Sequence, residues 1–461
     1  MPMKRFTVKP RLAVTRDSVV GDPDGTGRAW LYLGRLAEAG PLTDVRFDAD
    51  HSHVVAIFGK RGSGKSYTMG SMLESLCTQR SESSISRICR DKALLLLDTL
   101  GIFQWTDISL AQETGRPVIE EQRAVWRGWK LEPEPLDVQV WIPQGTRSAT
   151  TPAGHREFTV RTADFGAADW GYLLDLDIYQ DRMGQLLNDA YIKVTEEGWE
   201  GTGGKRDPRP EYSLDDLSAC VKLDAELHAA YRPETLRAVL QQLGTLRRNP
   251  LFQTEGTPLR RLLTPGRMNI LVMNRMSEPL RLVVLTALIR RLLDARTEAS
   301  EAEKHLAIRS DLSSQERAQI EALLSKSVPP SWLAIDEAQN VLPSERRTSA
   351  GEMLVRFVRE GRNYGLSFMV ATQQPTALDS RLLAQVDTII AHKLTVQGDI
   401  DYVKRNLKSN LPQEVRYADR ELRLDDLLRS LDVGQALVSN TEADRAFVVN
   451  IRPRVSVHGG F

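Results

Sequence analysis

Short runs of apolar residues recur along the chain and alternate with longer stretches in which apolar residues are spaced three or four apart. The short runs predict buried strands, at residues 53–58, 93–98, 138–142, 268–273, 332–337, 367–371 and 387–392. The longer stretches predict amphipathic helices, at residues 67–77, 280–295 and 350–363. Strands that alternate with helices indicate an α/β fold with parallel strand pairs.

The same patterning divides the chain into four parts. Turn signals separate short β-like stretches at residues 6–8, 12–15 and 29–34, whereas helical periodicity dominates residues 167–197 and 213–248. Residues 298–328 are charged and helix-prone, which favours a solvent-exposed excursion. We predict a small β-rich N-terminal element (1–50), a first part of the α/β core (51–104), a mostly helical insert (105–260) and a second part of the core with C-terminal strands (261–461).

Composition narrows the classes of protein that remain. The 461 residues include 61 basic and 61 acidic side chains, so the formal net charge is zero. This balance argues against a surface that contacts nucleic acid everywhere, but it permits a local basic channel. The three cysteines are scattered, and no apolar run approaches the ~20 residues that span a bilayer. We therefore expect a cytoplasmic protein with no membrane partner.

The most informative segment follows the first predicted strand. Residues 59–66 read Gly-Lys-Arg-Gly-Ser-Gly-Lys-Ser, the G-x-x-x-x-G-K-[ST] pattern of a phosphate-binding loop. Lys65 is expected to reach the β- and γ-phosphates of a nucleotide, and Ser66 to ligate Mg²⁺. The predicted nucleotide contacts are Gly59, Lys60, Arg61, Gly62, Ser63, Gly64, Lys65, Ser66 and Tyr67. The alternative is a glycine-rich turn between a strand and a helix.

Two acidic residues, Asp336 and Glu337, end the strand predicted at residues 332–337. In a chain that also carries a phosphate-binding loop, Asp336 is expected to hold Mg²⁺, and Glu337 to polarise the attacking water as general base. The adjacent glutamate points to a nucleotide hydrolase of the additional-strand class rather than to a small-molecule kinase.

Spacing suggests two more site residues. The helix after Glu337 is about 21 Å long at 1.5 Å per residue, which carries Arg362 away from its own γ-phosphate. Arg362, with Arg359 as the second choice, could act on a neighbouring subunit as an arginine finger, or it could simply suit the helix dipole. Gln373 follows the strand at residues 367–371 and either senses the γ-phosphate or begins a proline-bounded turn.

Other residues carry weaker signals. Asp98 ends the second predicted strand and either orients water or Mg²⁺ or caps the turn at Gly101. The seven histidines show no ligand spacing. Four tryptophans are interpreted as core residues rather than as base-stacking platforms, namely Trp105, Trp126, Trp129 and Trp141.

Together these motifs resemble the HerA branch of the HerA/FtsK superfamily of hexameric ATPases. The matching segments are residues 53–66, 334–340, 358–365, 372–375, 399–402, 452–454 and 458–460. The resemblance implies a RecA-like P-loop NTPase core, a homo-hexameric ring, ATP sites between subunits and double-stranded DNA in a central pore. By position it assigns site roles to Lys65, Ser66, Asp336, Glu337, Arg362 (the finger acting in trans) and Gln373.

Two features depart from the family pattern. Only about 50 residues precede the phosphate-binding loop, so we expect the N-terminal β-barrel of many members to be reduced or rebuilt. Residues 98–103 read Asp-Thr-Leu-Gly-Ile-Phe instead of the commoner Asp-Pro-x-Gly-Glu-Tyr, which puts a family role for Asp98 in doubt.

The resemblance also implies a partner. HerA-like proteins typically work with a separately encoded nuclease or, in bacterial anti-phage systems, with an effector such as a nuclease or a sirtuin-type NAD-consuming enzyme. We expect an ATP- and Mg²⁺-dependent DNA translocase or helicase, with residues 147–156 and 345–350 as candidate pore loops. The alternatives are an ATP-gated ring scaffold that regulates an effector, and a coupling ATPase at a membrane.

Overall fold

The computed structural model describes residues 18–22, 27–37, 43–111, 115–126, 128–132, 134–201, 204–341, 348–407, 414–417, 420–441 and 445–460. The chain forms two compact units. The first unit draws on residues 1–140, 263–274 and 293–461, and the second on residues 141–262 and 275–292. The chain therefore leaves the first unit and returns to it twice.

The described residues include twenty strands. In chain order they are β1 (Ser18–Val20), β2 (Trp30–Leu36), β3 (Asp44–Asp48), β4 (Val54–Phe58), β5 (Ser86–Arg87), β6 (Ala93–Asp98), β7 (Val138–Pro143), β8 (Arg156–Phe158), β9 (Val160–Arg161), β10 (Trp199–Gly201), β11 (Gly204–Arg206), β12 (Phe252–Gln253), β13 (Met268–Val272), β14 (Ser331–Ile335), β15 (Leu366–Thr372), β16 (Thr388–Ala391), β17 (Glu414–Tyr417), β18 (Arg420–Arg423), β19 (Gln435–Asn440) and β20 (Arg445–Ile451).

The same part of the chain includes fourteen α-helices. They are α1 (Lys65–Ser75), α2 (Pro117–Ala124), α3 (Ala167–Leu173), α4 (Arg182–Ile192), α5 (Leu214–Leu223), α6 (Ala225–Ala230), α7 (Pro233–Arg247), α8 (Leu259–Leu262), α9 (Glu278–Ile308), α10 (Ser314–Leu324), α11 (Ser349–Gly361), α12 (Ser380–Leu383), α13 (Gln397–Asn406) and α14 (Leu424–Ser430). None of these described helices combines the length and the apolar character that crossing a bilayer requires.

One large sheet organises the first unit. Eleven of its strands lie in the order β1-β3-β2-β20-β19-β16-β4-β15-β14-β6-β13. The six strands from β16 to β13 all pair in parallel, and every residue in them is buried. Parallel strands of this kind are covered on both faces, which is why they read as continuous apolar runs. The prediction of an α/β core with parallel strand pairs is confirmed.

Parallel pairing brings the carboxyl ends of β4, β15 and β14 to the same edge of the sheet. Phe58, the last residue of β4, is in register with Thr372 of β15, and Val370 of β15 is in register with Ile335 of β14. The segments that follow these three strands carry the predicted site residues. In sheets of this type, ligands bind outside the carboxyl ends of the strands.

The N-terminal strands extend the same sheet. β2 pairs antiparallel with both β20 and β3, and β1 pairs with β3. The strand predicted from residues 29–34 is β2, whereas the β-like stretches at residues 6–8 and 12–15 lie outside the described residues. The Tyr32 hydroxyl of β2 donates a hydrogen bond to Asp44 Oδ1 of β3 at 2.7 Å. Side chains as well as the backbone ladder therefore hold this edge together.

The second unit is largely helical and has an aromatic core. The Trp170 ring centre lies 4.9 Å from that of Phe165, and the Trp170 indole N–H donates to the Tyr212 hydroxyl at 2.6 Å. The helical periodicity of residues 167–197 and 213–248 corresponds to α3, α4, α5, α6 and α7. Apolar spacing thus located these helices before the structure did.

The prediction for residues 280–328 was wrong in one respect. The helix predicted to end at residue 295 continues as α9 to Ile308. Arg296 explains the continuation, because its side chain is only 1% exposed and its guanidinium binds the Glu303 carboxylate at 3.0 and 3.1 Å. The expected exposure holds further along, since α10 contains no buried residue.

A buried carboxylate ties the C-terminal segment to α1. Glu74, Arg452 and Arg454 are all fully buried. Arg452 Nη1 donates to Glu74 Oε1 at 2.8 Å, and Arg454 Nε lies 3.5 Å from Glu74 Oε2. The same carboxylate accepts the backbone N–H groups of Val455 at 2.9 Å and Ser456 at 3.2 Å. At the loop end of α1, the Tyr67 hydroxyl accepts a hydrogen bond from the Arg454 backbone N–H at 2.9 Å, so the C-terminal segment also lies beside the phosphate-binding loop.

We expect Glu74→Gln to destabilise the protein strongly, because it leaves two buried guanidinium groups facing a neutral amide. Removing one partner of a buried ion pair typically costs about 3–5 kcal/mol of unfolding free energy. Urea unfolding followed by circular dichroism measures this cost. Asp311→Asn removes the exposed ion pair with Arg309 and is the control, with no expected change. If the Glu74→Gln protein were as stable as wild type, the cluster would not anchor the C-terminal segment.

Candidate nucleotide site

The phosphate-binding loop joins β4 to α1 within the first unit. Gly64 occupies the N-cap of α1 with φ +109°, a left-handed conformation that favours glycine. The Lys60 N–H donates to the Lys393 carbonyl at 2.9 Å, and the Ser63 N–H donates to the Lys60 carbonyl at 3.2 Å. No acidic side chain lies in the first turn of α1 and none caps it. The amides at this helix N-terminus are therefore available to an anion.

The Lys65 side chain is buried between the loop backbone and the acidic pair. Its Nζ lies 3.4 Å from the Lys60 carbonyl oxygen and 3.9 Å from Glu337 Oε1. Burial lowers the pKa of the Lys65 ammonium, and the carboxylates of Glu337 and Asp336 partly oppose this shift. The ammonium group lies where it could bind phosphate oxygens held by the loop.

Asp336 faces Ser66 across the loop. The Ser66 hydroxyl oxygen lies 3.3 and 3.2 Å from the two carboxylate oxygens of Asp336, although the residues are 270 positions apart. Burial, followed by repulsion from Glu337 and Asp98, raises the pKa of Asp336 to about 7. A hydroxyl and a carboxylate are the hard oxygen ligands that Mg²⁺ prefers, and a cation would offset this buried negative charge. The pair therefore fits a Mg²⁺ ion.

Two amide groups orient Glu337. Its backbone has φ +51°, which is unusual for a residue with a side chain and strained in general. Gln373 Nε2 donates to Glu337 Oε1 at 2.5 Å, and Gln339 Nε2 donates to Glu337 Oε2 at 2.7 Å. Gln339 Oε1 in turn accepts a hydrogen bond from the Thr372 hydroxyl at 2.6 Å. Both carboxylate oxygens are thus held by groups from different elements.

Gln339 and Thr372 are site residues to which sequence reasoning assigned no role. Gln339 lies in the 3₁₀ turn at residues 338–340, and this turn returns its amide to Glu337. Thr372 is the last residue of β15 and stood in the sequence only as part of a Thr-Gln-Gln-Pro motif. Polar residues at strand tips were the available signal, but the turn geometry decides which of them meet.

Arg362 does not join this cluster. It is exposed in the 3₁₀ turn after α11, and its side chain has no hydrogen bond or ion pair with the described part of the chain. Arg356 and Arg359 each bind the Glu360 carboxylate at 3.0 Å. The two finger candidates therefore differ, since Arg359 is engaged within its own subunit and Arg362 is available to another molecule.

Of the two roles predicted for Asp98, the structure shows the capping of a turn. Its carboxylate accepts the backbone N–H groups of Gly101 at 2.7 Å, Ile102 at 3.2 Å and Phe103 at 2.8 Å. Burial raises the pKa of Asp98 to about 6. The residue caps the turn after β6, and its remaining influence on the site is electrostatic, through the pKa of Asp336.

A cavity of about 1140 Å³ opens at this cluster. Its wall includes Glu337 and Gln373. Six of the predicted nucleotide contacts also line it, namely Arg61, Gly62, Gly64, Lys65, Ser66 and Tyr67. Gly59, Lys60 and Ser63 belong to the loop but lie outside this wall. The cavity thus matches the loop on one side.

The cavity extends well beyond the sequence motifs. Its far side includes Arg35, Trp129 and Val433. The interpretation of Trp129 as a core residue was wrong, because its ring is half-buried and faces the cavity. Trp141, by contrast, is a core residue and only 3% exposed. Side chains from the N-terminal strands and the C-terminal strands therefore meet the phosphate-binding loop in one space.

The family description "Helicase HerA, central domain" matches residues 31–292, which is more than half of the chain. The chain belongs to the HerA helicase family. The matched range contains the phosphate-binding loop and ends before Asp336. HerA membership is therefore shown, while the roles of the acidic pair, Arg362 and Gln373 stay predictions.

Two curated helicases are similar to this chain over short stretches. A probable helicase of Methanocaldococcus jannaschii is 30% identical over 112 residues, which cover 24% of this chain and 19% of the relative. The DNA double-strand break repair helicase HerA of Pyrococcus furiosus is 25% identical over 179 residues, which cover 37% of this chain and 32% of the relative. The chain thus matches about a third or less of each of these relatives.

A solved structure shares the fold over nearly the whole chain. VirB4 of Thermoanaerobacter pseudethanolicus superposes with a TM-score of 0.52 and 13% identity, covering 95% of this chain and 99% of that protein. At this identity the likeness concerns the fold alone. HerA membership and this likeness agree on an α/β core of the P-loop ATPase type.

We expect Ser66→Ala to remove the Mg²⁺-dependent part of ATP binding, because the hydroxyl beside Asp336 is lost. The dissociation constant in Mg²⁺ should rise by about tenfold, while binding in EDTA should stay unchanged. Calorimetric titration with and without Mg²⁺ measures both. Ser63→Ala is the matched control, since the Ser63 hydroxyl donates to the Lys60 carbonyl instead. A Ser66→Ala protein that keeps its Mg²⁺ dependence would exclude this metal ligand.

Proposed function

We propose that this chain is an ATP-hydrolysing DNA translocase or helicase of the HerA type. It acts as a hexameric ring in the cytoplasm, together with a separately encoded nuclease or other effector, in DNA processing or anti-phage defence. The observation that carries the proposal is one cluster at the carboxyl edge of three parallel strands, formed by Lys65, Ser66, Asp336, Glu337 and Gln373. These groups meet the needs of phosphoryl transfer to water.

In the proposed reaction, the oxygen of a water molecule attacks the γ-phosphorus of ATP, and the bond to the bridging oxygen breaks to release ADP. Glu337 accepts the proton of the attacking water, while the loop amides and Lys65 stabilise negative charge on the phosphates. Ser66 and Asp336 would hold Mg²⁺, which neutralises phosphate charge when bound. Gln373 donates a hydrogen bond to Glu337, so departure of the γ-phosphate would change the surroundings of both side chains.

A neighbouring subunit would complete the site through Arg362. The turn that carries Arg362 is anchored, because Arg296 donates to the carbonyl oxygens of Tyr364 and Val328 at 2.8 Å each. The arginine side chain itself is exposed. In a closed ring of head-to-tail interfaces, each Arg362 would stabilise transition-state charge in the next subunit.

DNA contacts are proposed for residues 147–156 in the second unit. Arg275 braces this loop, since its Nη1 donates to the Thr146 carbonyl at 2.9 Å and to the Thr151 hydroxyl at 3.1 Å. Arg147 and Arg156 remain exposed on it. An ordered loop with exposed arginines suits contacts to DNA phosphates. The other candidate, residues 345–350, lies partly outside the described residues.

The first test is the ATPase rate with and without double-stranded DNA. DNA should raise the rate, and rising salt should reduce this stimulation because phosphate contacts release counterions. Glu337→Gln should lower kcat by about 10²–10⁴-fold while ATP binding persists. Phosphate release and nucleotide titration measure the two effects.

The outcomes separate the candidate functions. A rate that DNA leaves unchanged but that Glu337→Gln abolishes would favour an ATP-gated scaffold that regulates an effector. The zero net charge of the chain suits such a scaffold as well. Hydrolysis undiminished in Glu337→Gln would reject the assigned general base.

A mixing experiment tests whether Arg362 acts between subunits. Arg362→Ala alone should lower kcat by about 10³-fold or more, and Arg359→Ala should not, because Arg359 already binds Glu360. Rings assembled from equal amounts of Arg362→Ala and Glu337→Gln subunits should regain activity at about a quarter of their interfaces, where an intact Glu337 meets an intact Arg362. An inactive mixture would contradict action in trans.

A further inference from the structure

Many residues that line the large cavity have no role in the reaction described above. In the sheet, β4 lies between β15 and β14 on one side and β16, β19, β20 and β2 on the other. Glu337 and Gln373 follow the strands of the first side, so the γ-phosphate would point there. A bound nucleoside triphosphate must therefore extend its sugar and base towards the second side, across Gly64.

The second side presents a row of polar side chains to the cavity. Arg35 of β2 is in register with Asn450 of β20, and Asn450 is in register with Gln435 of β19. Gln435 Nε2 donates to Asn450 Oδ1 at 3.0 Å. All three side chains line the cavity. Residues in register on adjacent strands share a face of the sheet, so this rung offers one cation and two carboxamides to the same ligand.

An aromatic ring stands beside this rung. The Arg35 guanidinium lies 4.6 Å from the Trp129 ring centre, and Arg35 Nη1 donates to the Gly128 carbonyl at 2.7 Å. The Tyr32 ring centre lies 6.2 Å from that of Trp129, and the Tyr32 hydroxyl accepts from Arg35 Nε at 3.1 Å. The indole is therefore braced by β2 while its ring still faces the cavity.

The turn before β19 supplies an apolar side chain to the same space. Val433 is 77% exposed and lines the cavity. Gly434 has φ +84°, and its amide nitrogen would lie 3.6 Å from a Cβ placed on Gly64. Beneath the turn, His392 Nδ1 donates to the Gln435 carbonyl at 2.8 Å, and its Nε2 accepts from the Thr68 hydroxyl at 2.9 Å. His392 thus connects the turn to α1, the helix that follows the phosphate-binding loop.

We propose that Trp129, Val433 and the Arg35–Asn450–Gln435 rung form the nucleoside-binding half of the site. The base stacks on the Trp129 ring and packs against Val433, while the carboxamides bind hydroxyls of the ribose or the polar edge of the base. This inference rests on the proposed ATP site and adds the residues that distinguish a nucleoside triphosphate from a bare polyphosphate. Every base has a flat π-face, so stacking alone favours nucleotides as a class.

The test compares Mg²⁺-ATP with inorganic tripolyphosphate by calorimetry. Trp129→Ala should raise the dissociation constant for ATP by about ten- to hundredfold, the usual effect of losing one base–aromatic stack. Tripolyphosphate, which has no base, should bind Trp129→Ala and wild type equally. Trp30→Ala is the matched control, because the ring of Trp30 in β2 stacks with the guanidinium of Arg46 in β3 at 3.9 Å but lies outside the cavity wall. It should bind both ligands as wild type does.

A second readout keeps the inference testable if Trp129→Ala folds poorly. Trp129→Phe retains a ring, so ATP binding should stay within about threefold of wild type, while the change in tryptophan fluorescence on adding ATP should be lost. Equal ATP affinity in Trp129→Ala and wild type, or an undiminished fluorescence change in Trp129→Phe, would overturn the inference. A wild-type protein that binds neither ATP nor tripolyphosphate would instead overturn the proposed nucleotide site itself.

Discussion

Parallel pairing of β4, β15 and β14 is the constraint on which the rest of the site depends. Each strand contributes its carboxyl end to the same edge, so Lys65 lies close to residues from positions 336–373 although more than 250 positions separate them in the chain. Burial of these strands on both faces makes their register costly to change, because a slip would move each side chain to the opposite face and disrupt close packing on both faces. The packing of these strands thus fixes the positions of the site residues, although the packed side chains take no part in the reaction.

Buried charge is the second organising feature, and it occurs in small groups that combine acidic and basic side chains. Asp336 and Glu337 lie against Lys65, and Glu74 lies between Arg452 and Arg454. An unpaired buried charge would cost several kcal/mol, so such groups persist where partners are close. The first set includes Lys65 at the start of α1, and the second includes Glu74 near its end. The helix that follows the phosphate-binding loop therefore takes part in a buried charge cluster at each end.

Local patterns predicted the six parallel strands of the core, because a strand buried on both faces must be apolar throughout its length. They also located the phosphate-binding loop, since its glycines and lysine are required by the ligand rather than by the neighbouring fold. The end of α9 was placed too early, at residue 295, because its apolar periodicity stops there while the helix continues through exposed, charged residues to Ile308. Trp129 was misread as core for the opposite reason, since an isolated tryptophan in a sequence carries no sign of what its ring faces.

The sequence by itself determined the α/β class, the phosphate-binding loop, the acidic pair and the likeness to HerA proteins, because each is written in a short run of adjacent residues. Only the tertiary structure decided that Asp98 caps a turn, that two glutamines hold Glu337, and that Arg35, Asn450 and Gln435 form one rung. It also decided that the Arg362 side chain has no hydrogen bond or ion pair among the residues that the structure describes. The physical reason is that hydrogen bonds and apolar packing act only between side chains that are close in space. Separation along the chain does not reveal which side chains the fold brings together.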